Sequence, residues 1–165
     1  MSDYAPGLAT GITAPIGIFA LSVDVKHHEG CDCEQCNSQY ESMMERSVRV
    51  CIAEAASNWI DKKVKKMIIH GPKKMCKPAI GYACCPDHSL KKDVLDMLPG
   101  ADQLGISLTD SFAMIPDASI CGFVIVHPSA GYPEIRHISQ KQYDEYAKAR
   151  GFNEEQARKF LGHLL

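Results

Sequence analysis

The chain has 165 residues, of which 45% are hydrophobic and 23% charged, a composition that predicts one soluble globular domain able to bury a core. The formal net charge of -2 offers no basic field for a nucleic acid or an anionic membrane surface. No apolar stretch is long enough to span a bilayer, and the first residues lack the apolar segment of a signal peptide. These observations predict a cytoplasmic protein without nucleic-acid or membrane partners.

The first half of the chain is expected to contain one strand and one long helix. Residues 1–15 are rich in Gly, Ala, Thr and Pro without periodicity, which predicts a flexible leader before a single domain at 16–165. Residues 16–25 are apolar and β-prone, which predicts a buried strand. Apolar residues recur at helical spacing over 38–66, which predicts a long amphipathic helix. Its polar side carries Glu45, Arg49, Lys62 and Lys66.

The second half changes to a strand-like pattern and then ends in helices. Residues 90–98 predict a short helix that stops at Pro99. Strands are predicted at residues 106–108, 111–114, 119–126 and 134–138. The run 119–126 is the most continuously apolar and should be the central strand. Two capping boxes, with Gly151 between them, predict the terminal helices; the boxes are Ser139 with Gln142 and Asn153 with Gln156.

Residues 77–88, KPAIGYACCPDH, form an unusual loop sequence. Two prolines, a glycine, a tyrosine, paired cysteines and a histidine fall close together, which suits a ligand-contacting loop better than a helix or a ladder strand. The 77–88 loop therefore predicts chemistry at a surface or cleft.

This loop and the run LTDSFAMIPDASICGFVIVHP at 108–128 together resemble the C-terminal activation domain of cobalamin-dependent methionine synthase. The family's loop, R-P-A-P-G-Y-P-A-C-P-E-H, shares PA, GY, CP and the final histidine with this chain. The resemblance begins near Ile16 and covers roughly the C-terminal half of the family's domain. It implies an α+β fold, with a twisted, mainly antiparallel sheet covered by one long helix and by C-terminal helices.

The resemblance also implies a role in reactivation. In the family, this domain binds S-adenosylmethionine and presents it to cobalamin, so that inactive cob(II)alamin is reduced and methylated back into the catalytic cycle. The implied partners are a corrinoid-binding methyltransferase, which carries the cobalamin, and a flavodoxin-like electron donor. No residue of this chain is assigned a catalytic role.

Six positions match ligand-contacting positions of the family: Glu54, Lys77, Ala79, Gly81, Tyr82 and Tyr132. Lys77 replaces the family's arginine, so it keeps the charge but loses the planar fork that holds a carboxylate through two bonds. For Ala79, Gly81 and Tyr82 the alternative is a tight turn with a tyrosine packed on the surface, and the site is favoured there. Structural alternatives remain open for the other three. Glu54 could be an exposed helix residue, Lys77 a solvated lysine and Tyr132 a rim aromatic.

His88 is shared with the family and could face cobalamin. The sequence favours the alternative that Asp87 or His88 caps the short helix that follows. Cys85 matches a family cysteine and is expected to be structural, whereas Cys51 and Cys121 are expected to be small core residues.

A segment rich in cysteine and histidine has no counterpart in the family pattern. Zinc, or another metal with a preference for soft ligands, could be held by His28, Cys31, Cys33 and Cys36. The spacing is not that of a standard paired CxxC site, and a polar loop with reduced thiols is the alternative.

The leading hypothesis is a stand-alone, shortened activation-domain-like protein that assists reductive remethylation without holding a complete active site alone. Because part of the family's domain lies outside the resemblance, self-association into a homo-oligomer is a further expectation. Two alternatives stay open. One is a docking or sensing module for a corrinoid protein that no longer binds S-adenosylmethionine, and the other is a metal or thiol protein that uses Cys31, Cys33 and Cys36.

Overall fold

The computed structural model of the chain describes residues 4–6, 8–24, 39–68 and 74–165. In chain order its strands and α-helices are β1 (Gly17–Ser22), α1 (Gln39–Met67), β2 (Met75–Cys76), α2 (Leu90–Met97), β3 (Ser107–Leu108), β4 (Met114–Ile115), β5 (Ser119–Val126), α3 (Gln140–Arg150) and α4 (Glu154–Leu161). Short 3-10 helices lie at Leu8–Thr10, Ala101–Leu104 and Gly162–Leu164. This mixture of helices and antiparallel strands confirms the predicted α+β class.

The main sheet has three antiparallel strands in the order β1-β5-β2. Strand β1 pairs with β5 from Gly17 opposite Val124 to Ser22 opposite Ser119, and β2 pairs with the other edge of β5. The prediction that residues 119–126 form the central strand is confirmed. The strand is apolar on both faces because it is enclosed by other elements, including α2, and Cys121 within it is fully buried.

Two of the predicted strands are wrong in whole or in part. Only the end of 111–114 is a strand, since β4 begins at Met114 and pairs with β3 as a two-stranded hairpin. The residues before it form a turn, in which Thr109 accepts from the backbone N–H groups of Phe112 and Ala113. Such local hydrogen bonds compete with a sheet ladder.

Residues 134–138 form no strand, although their composition is β-prone. Their backbone is tied to two separate places, because Ile135 N–H donates to Ala83 O at 2.9 Å and Ile138 N–H donates to Leu164 O at 2.9 Å. A strand needs a continuous partner edge, which this segment does not have among the described residues.

Helix α1 matches its predicted extent, but its orientation corrects two expectations from the sequence. Its buried residue is Ala53, whose small side chain lets the helix approach β1 and β5. Arg49, predicted on the polar side, is largely covered and forms an ion pair with Asp117 at 3.7 Å. Cys51, predicted in the core, is exposed. The large exposed apolar residues of the helix include Met44, Val48, Ile52 and Trp59.

The helix ends near the C-terminus follow the sequence closely. Both predicted capping boxes are present, since Ser139 accepts from Gln142 N–H and Asn153 accepts from Gln156 N–H. Gly151 ends α3 in the left-handed region at φ 67°, as predicted. Nothing in the described segments forms a helix with the length and apolarity that crossing a bilayer requires.

The described part of the N-terminal stretch contacts the sheet. Tyr4 packs against the buried cluster of Cys76, Ile125 and Ala130, and its ring centroid lies 5.4 Å from that of His127. The flexible leader and the domain boundary at residue 16 stay predictions.

Candidate ligand-binding site

The 77–88 loop begins as an extension of β2 that follows the central strand. The backbone N–H of Phe123 donates to Pro78 O at 3.1 Å, and Ile80 N–H donates to Cys121 O at 3.0 Å. The first half of the loop is therefore held to β5 by backbone hydrogen bonds. Its pairing with β5 is an isolated bridge between Ala79 and Gly122.

Gly122 makes this close approach feasible. A Cβ atom at this position would lie 2.2 Å from Pro78 O and 2.9 Å from the Cα of Ala79. Both neighbours are backbone atoms, so a side chain here would push the loop away from β5. Ala79, half-buried, thereby lies directly above the central strand.

The tip of the loop is a tight turn built on Gly81. Gly81 has φ 96°, and its N–H donates to Cys85 O at 2.8 Å, while Cys85 N–H returns a bond to Tyr82 O at 2.8 Å. A Cβ at Gly81 would lie 2.9 Å from Cε1 of His88, so the imidazole packs on the bare glycine. The turn directs Tyr82 outward, where 55% of its surface is exposed.

His88 supports the turn and is held in place by Lys91. The Lys91 ammonium lies 2.9 Å from His88 Nδ1 and also donates to Phe112 O at 2.9 Å. Burial, and then the Lys91 charge, lower the pKa of His88, and burial lowers the pKa of Lys91. A neutral imidazole that accepts at Nδ1 therefore packs on Gly81.

The N-cap of α2 is Ser89, whose side chain makes no capping hydrogen bond. Asp87, one of the two residues that the sequence predicted as the cap, instead holds the backbone of Ser89. Its Oδ1 accepts from Ser89 N–H at 2.8 Å, while its buried Oδ2 accepts from Tyr146 Oη at 2.9 Å. The loop is thus joined to both α2 and α3.

Lys77 is buried, with 9% of its surface exposed, which contradicts the alternative of a solvated lysine. Its ammonium donates to the carbonyl and the hydroxyl of Ser57 on α1, the carbonyl lying 2.7 Å away. The same group lies 3.0 Å from Asp61 Oδ1 and 4.7 Å from the ring centroid of Phe19. The cation at the position of the family's arginine is therefore already fully surrounded by groups of this chain.

Tyr132 contacts Lys77 directly through the backbone. The N–H of Lys77 donates to Tyr132 Oη at 2.9 Å, which fixes the hydroxyl end of the tyrosine against the start of the loop. The ring is 60% exposed. Tyr132 is therefore exposed, as a rim aromatic would be. Its hydroxyl also accepts a specific hydrogen bond, which a rim aromatic would not need.

Glu54 is an exposed residue of α1, one helical turn before Ser57. Glu54, Ser57 and Asp61 are spaced by three and four residues, so they share one face of the helix. Lys77 contacts this face at Ser57 and Asp61, one helical turn and more from Glu54. The six residues predicted from the sequence thus come from α1, the 77–88 loop and the segment after β5.

The arrangement suits binding better than bond making. It offers an exposed carboxylate, two exposed tyrosine rings and a rigid backbone turn, which can hold a polar ligand with an aromatic part. The two thiols of the loop are poor nucleophiles, because burial raises the pKa of Cys84 and raises that of Cys85 to about 11.

The predicted metal ligands His28, Cys31, Cys33 and Cys36 lie outside the described residues. Within the described ranges, no group of three or more His, Cys, Asp or Glu side chains is placed to hold a metal ion.

Several residues that shape the site were not found from the sequence. Ser57 and Asp61 have no local signature, since their partner Lys77 is distant in the chain. Gly122 did have a signal, because a glycine inside an apolar strand often marks the close approach of another backbone.

Comparisons with known proteins support the resemblance seen in the loop. Residues 1–151 match the family described as "Vitamin B12 dependent methionine synthase, activation domain", and the match extends upstream of Ile16. The fold is similar to a solved structure described as "Crystal Structure of the MetH Reactivation Domain bound to AdoHcy", with a TM-score of 0.68 and 26% identity. The similarity covers 76% of this chain and 43% of that chain. The chain therefore belongs to the family of vitamin B12-dependent methionine synthase activation domains.

Proposed function

We propose that this domain binds S-adenosylmethionine beside the 77–88 loop and presents it to a corrinoid-binding methyltransferase. The observation that carries the proposal is the retained loop, clamped on β5 by Gly122 and ending in the exposed ring of Tyr82. The similar solved domain is described as bound to AdoHcy, which has the same adenosine group. S-adenosylmethionine, when bound, would supply the methyl group and leave as S-adenosylhomocysteine. A flavodoxin-like donor would supply one electron, so that cob(II)alamin on the partner becomes methylcobalamin.

The described residues fit the adenosine part of the ligand well. The rings of Tyr82 and Tyr132 are exposed for stacking, and the hydroxyl of Tyr132 is anchored by Lys77 N–H. The carboxylate of Glu54 is exposed on α1 and can accept from an ammonium or a ribose hydroxyl.

The candidate site fits the carboxylate of the ligand less well than it fits the adenosine. Lys77, at the position of the family's arginine, already contacts Ser57 and Asp61. A bound carboxylate would have to displace Asp61 or find a cation elsewhere, so the affinity of the isolated chain should be weak. We infer that the chain does not hold a complete active site alone.

Calorimetric titration of S-adenosylmethionine, with and without a cobalamin-loaded methyltransferase, tests this function. Binding should weaken about five-fold or more on Glu54→Gln or Tyr82→Ala, because each change removes one ligand contact. Glu155→Gln, at an exposed position of α4, is the matched control and should leave binding unchanged. An absence of heat in both settings would exclude ligand presentation.

A second function is favoured by the occupied ammonium of Lys77. In this alternative the domain docks on, or senses, a corrinoid protein and no longer binds S-adenosylmethionine. A corrinoid protein would then co-sediment with the wild type and with Tyr82→Ala to the same extent. Ligand-dependent co-sedimentation that Tyr82→Ala abolishes would contradict it.

Two expectations from the sequence remain outside these tests. A metal or thiol function at Cys31, Cys33 and Cys36 stays a prediction, which elemental analysis of protein purified without a histidine tag would check. A cytoplasmic location also stays a prediction.

A further inference from the structure

The ammonium of Lys91 is a buried charge without an acidic partner in the described part of the chain. Lys91 lies on α2 with 5% of its surface exposed, and no described carboxylate pairs with it. Asp87, the buried acid of the preceding loop, is engaged by Ser89 N–H and by the hydroxyl of Tyr146. Removing an ammonium from water is costly unless an opposite charge compensates it. The described residues therefore leave this ammonium without its counter-charge.

Two hydrogen bonds direct the Lys91 ammonium. One goes to Phe112 O at 2.9 Å and holds the carbonyl of a residue in the left-handed region, at φ 59°. That contact needs a donor but not a full positive charge. The other goes to His88 Nδ1, also at 2.9 Å. The second contact links the buried charge to a side chain that reaches the surface.

His88 presents this charge as an exposed N–H donor. Because an ammonium only donates, Nδ1 of His88 accepts, and the proton of the neutral ring lies on Nε2. The imidazole packs on Gly81 and is exposed, and its Nε2–H donates to no described residue. A hydrogen bond from a cation polarises the ring and strengthens its other N–H as a donor. The free Nε2–H is thus a donor that favours an anionic acceptor.

The charges around His88 leave the Nε2–H in place near neutrality. Burial and the Lys91 charge lower the pKa of the imidazole; the His163 charge acts in the same direction, and Asp87 opposes them. The imidazole therefore stays neutral at pH 7 and keeps Nδ1 as the acceptor of Lys91.

We propose that Lys91 and His88 form a subsite for a carboxylate, which accepts from His88 Nε2–H and supplies the counter-charge of Lys91. One donor and one positive charge match a carboxylate, whereas a phosphate brings more charge and three acceptor oxygens. The imidazole packs on the residue that precedes Tyr82 in the turn. A ligand that stacks on the exposed Tyr82 ring therefore lies beside the subsite.

The carboxylate of S-adenosylmethionine is the first source of this anion, a step that rests on the function proposed above. Lys77 does not receive that carboxylate, because Ser57 and Asp61 already surround its ammonium. The Lys91 ammonium has no such acidic partner among the described residues. The second source is an acidic side chain of a partner protein, which offers the same chemistry.

Nuclear magnetic resonance of the histidine-labelled chain tests the subsite without any adenosyl ligand. The ¹⁵N shifts should place the His88 proton on Nε2, and sodium acetate, exchanged for chloride at constant ionic strength, should shift the His88 signals saturably. The exposed His137 is the internal reference and should not saturate. Lys91→Met should weaken acetate binding about ten-fold, because it removes the charge. Lys92→Met, an equal change of net charge at an exposed position of α2, should leave it unchanged.

Calorimetry with S-adenosylmethionine and its decarboxylated analogue identifies the source of the carboxylate. The wild type should prefer S-adenosylmethionine about ten-fold, and His88→Leu should remove the preference without weakening the analogue. His88→Gln should retain it, because an amide can accept from Lys91 and donate to the ligand. His88→Leu leaves the buried lysine in place, so the comparison stands even where Lys91→Met fails to fold.

The outcomes separate this subsite from the proposed function. A proton on His88 Nδ1, or acetate that does not shift His88, would overturn the subsite. Saturable acetate binding together with equal affinity for the two adenosyl compounds would support the subsite and assign the carboxylate to a partner protein. Saturable acetate binding without any binding of S-adenosylmethionine would support the subsite and contradict the proposed function instead.

Discussion

The ammonium of Lys77 lies 3.0 Å from a carboxylate oxygen of Asp61, across the boundary between the 77–88 loop and α1. The lysine side chain is 6% exposed and the aspartate 28%, so the pair is largely removed from water. By the resemblance of the 77–88 loop, Lys77 replaces an arginine of the family. We infer that the cation here has a structural role, which is to hold the loop against the helix.

Lys77→Met should destabilise the fold by about 2 kcal/mol, because the partly buried carboxylate and the Ser57 carbonyl lose a charged donor. Urea unfolding of Lys77→Met, Asp61→Asn and the double variant would measure this. The double variant should be less destabilised than the sum of the two single changes. Strict additivity would show that the two residues do not interact.

Periodicity predicted the elements whose stabilising contacts are local in the sequence or repeat regularly along the element. The extent of α1, the central position of β5 and both capping boxes follow from spacing alone. The face of α1 that meets the sheet did not follow from spacing, because Arg49 is buried by an ion pair with Asp117, far away in the chain. The hydrophobic pattern therefore indicated the wrong side.

In the candidate site, too, the local features were predictable from the sequence and the contacts between distant residues were not. The resemblance of the loop located Ala79, Gly81 and Tyr82 within one turn, because turn chemistry is local. It could not predict that Lys77 contacts Asp61, since that contact depends on how α1 packs beside the loop. The residues of the candidate site therefore stay a prediction from sequence, and the sequence could not show that Lys77 among them is already engaged.

Gly122→Ala should displace the loop and destabilise the protein by about 3 kcal/mol, because the added methyl group meets Pro78 O and the Ala79 backbone. Gly162→Ala is the control, since a Cβ there would make ordinary contact at 3.5 Å with a flexible side chain. Thermal unfolding of both variants would compare them. Equal stability of the two variants would argue against the backbone contact.

Tyr132→Phe and Tyr82→Phe should differ, although both remove one hydroxyl from an exposed ring. The hydroxyl of Tyr132 accepts from Lys77 N–H, so Tyr132→Phe should lower the free energy of unfolding by about 1 kcal/mol. Tyr82 makes no side-chain hydrogen bond within the described part of the chain, so Tyr82→Phe should be neutral. Hydrogen exchange at the Lys77 amide should accelerate only in Tyr132→Phe.

The thiols should differ widely in reactivity. Cys51 is exposed, whereas Cys76, Cys84, Cys85 and Cys121 are buried. Burial raises the pKa of Cys121 to about 11, as it does for Cys85, so little thiolate forms near neutrality. Brief alkylation of the native protein, followed by peptide mass spectrometry, should label Cys51 well before these four. Rapid labelling of Cys121 would contradict its placement in the core.

Acid should destabilise the fold through His88. Burial and the nearby Lys91 charge lower its pKa from 6.5; the His163 charge acts in the same direction, and Asp87 opposes them. The unfolded chain therefore binds a proton more readily than the native fold. The contribution of His88 to stability is complete above pH 6.5 and is lost as the pH falls through the lower, folded pKa. His88→Gln cannot take up this proton, so its urea midpoint should fall less between neutral and mildly acidic pH than that of the wild type. An equal fall in both proteins would show that another group carries the acid sensitivity.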